Sequence, residues 1–398
     1  MKPEEQKLFL DCVHCGLCLS ACPTYRELGT EMDSPRGRIY LMRALAEGRL
    51  GPEEETMRHL DLCLGCRACE TACPSGVQYG RLLEASRADL EPHRPVSLVK
   101  TALVEHIFPY PGRTRVALAL AGLGRMVSGW LPGSLRVALE LAPRSAGAGW
   151  QPSITLPRGQ RRYRVGFMPG CIASVVFPYV NDATIAVLAH NGCEVVVPAG
   201  QGCCGALHVH NGSPAADLAL RNIEAFKNLD VVITNAAGCG STLKEYDHLV
   251  DDDGGFSKKV RDISEWLVEI GFEKPVGRLE ATVTYQDACH LAHAQKIRHA
   301  PRELLASIPG LRLVELEESD TCCGGAGMYN ILNPDMSERL LAHKVRTVTE
   351  SGATIVVAAN PGCLLQMERG LRGKGLRFAH PVELLAEAYG LLTGPVIC

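Results

Sequence analysis

The stretch CVHCGLCLSACP, Cys12–Pro23, returns with the same spacing as CLGCRACETACP, Cys63–Pro74. Each copy reads Cys-x2-Cys-x2-Cys-x3-Cys-Pro. Iron is soft enough to favour thiolate sulfur, and a four-iron cube takes one thiolate on each iron. The x2 steps let three thiolates of one tight loop reach three corners of a cube. The fourth cysteine leads into the next segment, and where two such runs occur together it ligates the other cube. The expected ligand sets are therefore Cys12, Cys15, Cys18 and Cys73 for one cluster, and Cys63, Cys66, Cys69 and Cys22 for the other. Cys-x2-Cys also serves zinc. Four cysteines in a row closed by proline, twice, favour two [4Fe-4S] clusters. This segment carries electrons.

Around that segment, composition sets the bounds. A chain of 398 residues exceeds one ordinary core, so two or three domains are expected. With 46% hydrophobic and 21% charged residues it reads as a folded soluble protein. A formal charge of −3 offers no nucleic-acid surface. The opening MKPEEQKLFLDC lacks the charged-then-apolar pattern of an export signal. Eighteen cysteines in such a chain point to metal ligation in a reducing compartment, with the cytoplasm expected.

Residues 1–91 form the cluster-binding unit. Between its cysteine runs, DSPRGRIYLMRALAEGRL predicts a helix capped by Ser34 with Pro35 at its first position. Ile39, Met42, Leu45 and Ala46 give it an apolar stripe. Arg36 and Arg38 are expected to solvate the helix start or pair with a carboxylate, tuning or gating of electron transfer being the alternative. Residues 92–160 are a connector of two or three amphipathic helices carrying Arg115, Arg125 and Arg136. Its longest uncharged apolar run, Val116–Gly124, is too short for a bilayer span. Such helices would touch a membrane surface, dock on a partner subunit, or pack between the flanking domains.

Residues 161–398 contain an internal repeat, divided here as 161–275 and 276–398. YRVGFMPGC ends at Cys171, Cys203-Cys204-Gly205 follows, and VVITNAAGC ends at Cys239. The second half answers with ATVTYQDAC to Cys289, then Cys322-Cys323-Gly324, then TIVVAANPGC to Cys363. Predicted strands are 165–168, 194–197 and 231–234, then 282–285, 312–316 and 355–358. Helices are predicted at 183–190, 215–228, 302–307 and 336–350. Strands alternating with helices imply a parallel sheet in each half. Each cysteine landmark then follows the carboxyl end of a strand, where open α/β sheets place their sites. The fold class is multidomain α/β: a small helical two-cluster ferredoxin-like domain, then two α/β units.

A buried cysteine also packs as a small hydrophobe, which accounts for Cys193 but not for a repeated Cys-Cys-Gly. Cys171, Cys203, Cys204, Cys239, Cys289, Cys322, Cys323 and Cys363 are therefore read as a further metal or redox site. Gly205, Gly240, Gly324 and Gly325 would permit the tight backbone it needs. His208, His210, His290 and His293 are neighbouring candidate ligands. Cys398 is expected to have no role.

The duplicated pattern resembles the cysteine-rich CCG domains of heterodisulfide reductase and related respiratory subunits. With the amino-terminal runs, the whole chain resembles the iron–sulfur subunits of glycolate oxidase. The landmarks are DCVHCGLC (Asp11–Cys18), ACPTY (Ala21–Tyr25), SPRGRIYL (Ser34–Leu41), CETACPSGVQY (Cys69–Tyr79), GCCGALHVH (Gly202–His210), HAQKI (His293–Ile297) and CCGGAGMY (Cys322–Tyr329). The resemblance implies FAD-binding partner subunits that oxidise glycolate to glyoxylate, while this chain passes electrons towards a quinone. The chain shows no Gly-x-Gly-x-x-Gly after a strand, so the hydride chemistry belongs elsewhere. Similar subunits serve lactate and glycerol-3-phosphate dehydrogenases, and a disulfide reductase is a further alternative. One departure counts against that last reading. The reductase pattern ends in Cys-x-x-Cys, whereas Thr242 follows Cys239 here and Gln366 follows Cys363. Four thiols per half leave room for an ordinary cluster, or a cluster in one half only.

Overall fold

A computed structural model of the protein describes residues 3–124, 133–143 and 151–391. Arg125 and Cys398 lie outside the described residues.

The amino-terminal domain is built on helices Pro35–Ala46 and Tyr79–Leu90. Ser34 caps the first as its composition predicts: the Oγ accepts the Gly37 N–H at 3.0 Å. Ile39 and Met42 of the apolar stripe are buried with Phe9, Leu60, Val77, Tyr79, Leu82 and Leu83, and Cys63 and Cys69 join this small core. Thiols and apolar side chains thus share one interior.

The connector begins with helix Leu98–Thr101, which runs on as a π-helical segment, Ala102–Ile107. Helices Pro111–Gly124 and Gly133–Leu141 follow. The last packs on helices Tyr329–Leu332 and Pro361–Gly370, where Arg369 bridges Glu140 at 3.2 Å and Glu338 at 2.5 Å. Helix Pro111–Gly124 differs from the expected one-sided pattern: Thr114 is buried while Val116 and Leu120 are exposed, and apolar side chains lie all round it.

Each carboxy-terminal half is a mainly parallel sheet with helices between its strands. The first comprises β1 (Ile154–Thr155), β2 (Tyr163–Met168), β3 (Cys193–Val196), β4 (Val232–Thr234) and β5 (Val260–Asp262) in the order β1-β3-β2-β4-β5. Strand β1 pairs antiparallel and the others parallel. The second comprises β6 (Ala281–Gln286), β7 (Leu311–Glu315), β8 (Ile355–Ala358) and β9 (Arg377–Ala379) in the order β7-β6-β8-β9. Without β1 the two orders are identical. Periodicity finds three strands of each sheet. It misses β1, β5 and β9: IT is only two residues, and VRD and RFA lack the β-branched run that marks the equally short β4, VIT.

The halves share one hydrophobic core, with helices Pro178–His190 and Pro381–Ala388 packed across the junction. Their sheets meet at the carboxyl edges. Ala237 N–H donates to Ala359 O at 3.1 Å, and Gln295 Nε2 donates to Ala237 O at 3.0 Å. Buried His380 adds a third link, its Nε2–H donating to Asn235 O at 3.0 Å while its Nδ1 accepts the Val382 N–H at 3.1 Å. Accepting at Nδ1 requires the neutral ring, and burial pulls its pKa from 6.5 to about 4.

Because the folded-state pKa is depressed, the stability contributed by neutral His380 is complete above pH 6.5 and is lost as pH falls through about 4. His380→Ala should cost roughly 1–3 kcal/mol near neutral pH and noticeably less near the lower end of that window. Urea unfolding of both proteins at the two ends of the window checks this. An equal deficit at both ends would contradict it.

Candidate iron–sulfur and thiol site

The two cysteine loops curve by using backbone that side chains usually avoid. Gly16 and Gly65 have φ of 88° and 63°, and His14 and Arg67 follow at 55° and 63°. At Gly16 even space demands glycine, since a Cβ would meet Leu19 Cδ1 at 2.9 Å and Arg36 Nη1 at 3.0 Å. Curved this way, Cys12, Cys15 and Cys18 line one concavity with Cys73 from the other run, Cys69 at its edge, and Ile39 and Tyr79 behind. Cys22 conversely lies among Cys63, Cys66 and Cys69, close enough that their charges interact. Burial pushes the Cys66 and Cys69 thiols up. The first group faces outward, with Cys15 exposed, and the second is buried.

This donor set suits iron–sulfur cubes. Among the described residues no three His, Cys, Asp or Glu side chains are placed to hold a single metal ion. Thiols ringing a space are what a cube requires, because each binds a different iron. Hydrogen-bond donors surround the buried group as well. Tyr79 OH and Gly65 N–H each donate to Cys63 Sγ at 3.4 Å, and Arg38 Nη1 reaches Cys22 Sγ at 3.8 Å.

Arg36 behaves as expected, pairing with Glu31 at 2.7 Å on the surface. Arg38 does not solvate the helix start. It is fully buried, donating to His59 O at 2.7 Å and Thr24 Oγ1 at 2.9 Å, with Asp33 Oδ1 at 3.4 Å. Burial alone would pull its pKa down, but the neighbouring Cys63, Tyr79, Cys22 and Asp33 outweigh that and raise it overall. A signal was present: Arg38 stands four residues before Met42 on the stripe that faces the core.

The second thiol set sits where the strands point. Cys171 follows β2, Cys203 and Cys204 follow β3, and Cys239 follows β4; Cys289, Cys322, Cys323 and Cys363 repeat this after β6, β7 and β8. Cys171 and Cys203 sulfurs are 3.5 Å apart, and those of Cys204 and Cys239 are 3.2 Å apart. In each half, neighbouring thiols lower one member of the adjacent pair. Cys203 is lowered by bonds from Cys171 and Cys204, and Cys323 by bonds from Cys322 and Cys363. Gly205 and Gly324 make the turns at φ of 86° and 82°.

The histidines divide. His293 is fully engaged, Nδ1 with Thr71 Oγ1 at 2.9 Å and Nε2 with Asp320 O at 3.0 Å, so it is not placed as a ligand. His208 is buried and interacts with Cys203. His210 Nδ1 contacts Glu84 Oε1 at 2.9 Å, and His290 Nε2 contacts Gly65 O at 3.1 Å.

Both cysteine systems are contiguous. Leu64, Cys66 and Ala68 pack with Cys322, Tyr329, Met336 and Leu340, and Cys289 borders the same cluster. Tyr329 OH donates to Leu62 O at 2.9 Å, and Arg67 pairs with Glu245 at 2.6 Å. A cavity of about 780 Å³ opens here, lined by Cys63, by all eight thiols of the repeat, and by Leu103, Phe108, Leu118 and Ala121 of the connector.

Residues 9–77 match the family model of the 4Fe-4S dicluster domain, and residues 165–244 and 283–368 each match that of the cysteine-rich domain. A Bacillus subtilis protein named "Probable glycolate oxidase iron-sulfur subunit" is 44% identical, covering 96% of this chain and 94% of its own. The Escherichia coli "Glycolate oxidase iron-sulfur subunit" is 33% identical, over 97% and 95%. The chain belongs to the family of glycolate oxidase iron–sulfur subunits. One subunit of the CoM/CoB fumarate reductase of Methanothermobacter marburgensis is also similar, at 30% identity over 98% of this chain and 75% of its own. As a member of this family the chain is an electron-transfer subunit carrying two [4Fe-4S] clusters. Among the described residues no helix is long and apolar enough to cross a membrane.

A positive charge and donors beside sulfur favour the reduced, more negative cluster. Tyr79→Phe and Arg38→Met should therefore each lower the potential of the buried cluster, read by redox titration with electron paramagnetic resonance. Arg38→Met should also cost about 1–3 kcal/mol, because His59 O and Thr24 Oγ1 lose a buried donor while Asp33 keeps His59 Nδ1 at 2.9 Å. Unchanged potentials in both variants would contradict the assignment.

Proposed function

We propose that this chain conducts electrons from a partner flavin subunit, which oxidises glycolate to glyoxylate, towards a quinone. Cys12, Cys15, Cys18 and Cys73 would hold the outer cluster, and Cys63, Cys66, Cys69 and Cys22 the inner one. Such clusters pass single electrons, which splits the output of a two-electron donor. The observation that carries the reading is the serial arrangement of thiols: an outward group, a buried group, then Cys66 next to Cys289.

The protein's own residues give that series a direction. Leu10, Val13 and Leu17 are exposed around the outer cysteines and form an apolar face for the flavin partner. Inward, Leu64, Ala68, Tyr329, Met336 and Leu340 exclude water between Cys66 and Cys322. Tyr79 and Arg38 balance the charge that accumulates on the buried sulfurs.

The close thiol pairs also favour a second reading, in which the repeat itself reduces a disulfide. The positions of the fifth thiols weigh against it. Gln366 is buried and spent on Ser337 Oγ at 2.9 Å and Asn330 Nδ2 at 3.0 Å.

In the complex, Cys15→Ser or Cys66→Ser should leave flavin reduction by glycolate intact and abolish most quinone reduction. Normal quinone reduction in both would end the conduction reading. Two cubes require about eight irons per chain, so a materially higher iron content would put a cluster on the repeat thiols. Turnover of a disulfide by the isolated chain would favour the second reading.

A further inference from the structure

We propose that the two halves of the repeat are unequal: the second alone takes electrons from the inner cluster, and Lys344 is the positioning residue that makes it the acceptor. This rests on the conduction reading above and names the half and the side chain that decide it.

Helix Pro334–Glu350 turns an apolar face inward, with Met336, Leu340, Leu341 and Val348 buried along it. Lys344 stands on that face one turn after Leu340 and is 2% exposed. A lysine on a core-facing stripe is costly unless something nearby answers its charge. The helix lies against the turn that carries the thiols. A Cβ on Gly324 would meet Ser337 O at 2.7 Å and Leu340 Cβ at 3.3 Å, and Met336 and Leu340 pack with Cys322. The ammonium is therefore within electrostatic reach of Cys322 and Cys323, which support its charge against burial.

Glu318 holds the lysine there. Its carbonyl accepts from Lys344 Nζ at 2.8 Å and from the Thr321 N–H at 3.0 Å. Its φ is 51°, a region that a residue with a side chain enters at a cost and keeps only where its surroundings fix it. Here Arg26 grips the Glu318 carboxylate at 2.7 and 3.1 Å, and His343 Nε2 stands 3.2 Å from it. Arg26 belongs to helix Pro23–Leu28, which begins directly after Cys22 of the inner group. One strained residue thus ties the inner cysteine loop to the cation beside the second-half thiols.

The first half is built differently. Its matching helix, Ala216–Ala225, offers Arg221, which is exposed and donates to Gly200 O at 2.7 Å. Besides burial, the groups that act most on Cys171, Cys203 and Cys204 are other thiols, backbone amides and His208. Cys66 moreover meets Cys289 and Cys322, both of the second half.

The second-half thiols fit a cluster, since Cys289, Cys322, Cys323 and Cys363 act on one another in a closed ring. Four thiolates make such a group a net anion, and an added electron makes it more negative. A fixed cation beside it raises its affinity for that electron. In the step the inner cluster is oxidised by one electron and the second-half cluster reduced by one. No proton moves and no bond forms or breaks.

The test uses the intact complex, purified without oxygen, with iron counted and each cluster titrated by electron paramagnetic resonance. The wild type should carry about twelve irons per chain, about four more than two cubes. Cys322→Ser should remove about four of them and Cys203→Ser none. At a potential that half-reduces the wild-type third cluster, Lys344→Met should lower its reduced-to-oxidised ratio about tenfold, a fall of about 59 mV for one electron. The outer cluster should not shift, Lys344→Arg should stay near the wild type, and Arg221→Met should shift nothing. Where Lys344→Met does not fold, the iron counts of the two cysteine variants decide. A third potential unmoved by Lys344→Met would overturn the role of the lysine. About sixteen irons, or equal losses from the two cysteine variants, would overturn the inequality of the halves. About eight irons would overturn the proposal and leave the two-cube reading standing. Failure of glycolate to reduce either cube in the wild-type complex would instead refute the conduction reading.

Discussion

The hydrogen bond from Ala237 N–H to Ala359 O joins the carboxyl edges of two parallel sheets that share no strand. In a βα unit the loops after the strands carry the chemistry, and here two such sets of loops are pressed together. Asn235, Gln295 and His380 repeat the link with buried hydrogen bonds, each of which would leave an unsatisfied group if the sheets parted. Eight thiols on separate loops thereby line one cavity. A single sheet would present only four.

The amino-terminal domain meets a different constraint. Cys22, Cys63, Cys66 and Cys69 bring negative charge into a domain with a small core, and desolvation opposes that. The compensation is a fully buried guanidinium. Arg38 spends its donors on His59 O, Thr24 Oγ1 and Asp33 and keeps Nη1 near Cys22 Sγ. The same domain leaves Cys15 open and seats Cys66 against the second repeat, so its two cysteine groups face different environments. Electron donors and acceptors need that asymmetry, because solvent exposure and hydrogen bonds to sulfur separate potentials that identical ligands would leave equal.

Much of this was legible in the chain. Both cysteine runs, the Ser34 cap and the six strands that precede the thiols follow from spacing and periodicity. The π-helical turn at His290–Ala294 and the three-residue strands β5 and β9 do not, being too short or too irregular for a pattern. Arg38 pairs with a neighbouring carboxylate as one limb of its expectation has it, but its full burial beside the sulfurs was not foreseen, although its place on the apolar stripe pointed inward. The connector misled differently: helix Pro111–Gly124 has apolar groups all round because one side faces a cavity.

Ligand type and strand positions were therefore set by local means, since Cys spacing, proline, glycine and β-branched runs act over a few residues at a time. The meeting of distant parts was not. That His210 lies against Glu84 and His290, or that Cys66 adjoins Cys289, follows from how three domains pack. Packing is decided by the shape and burial of whole surfaces, which no short stretch of residues encodes.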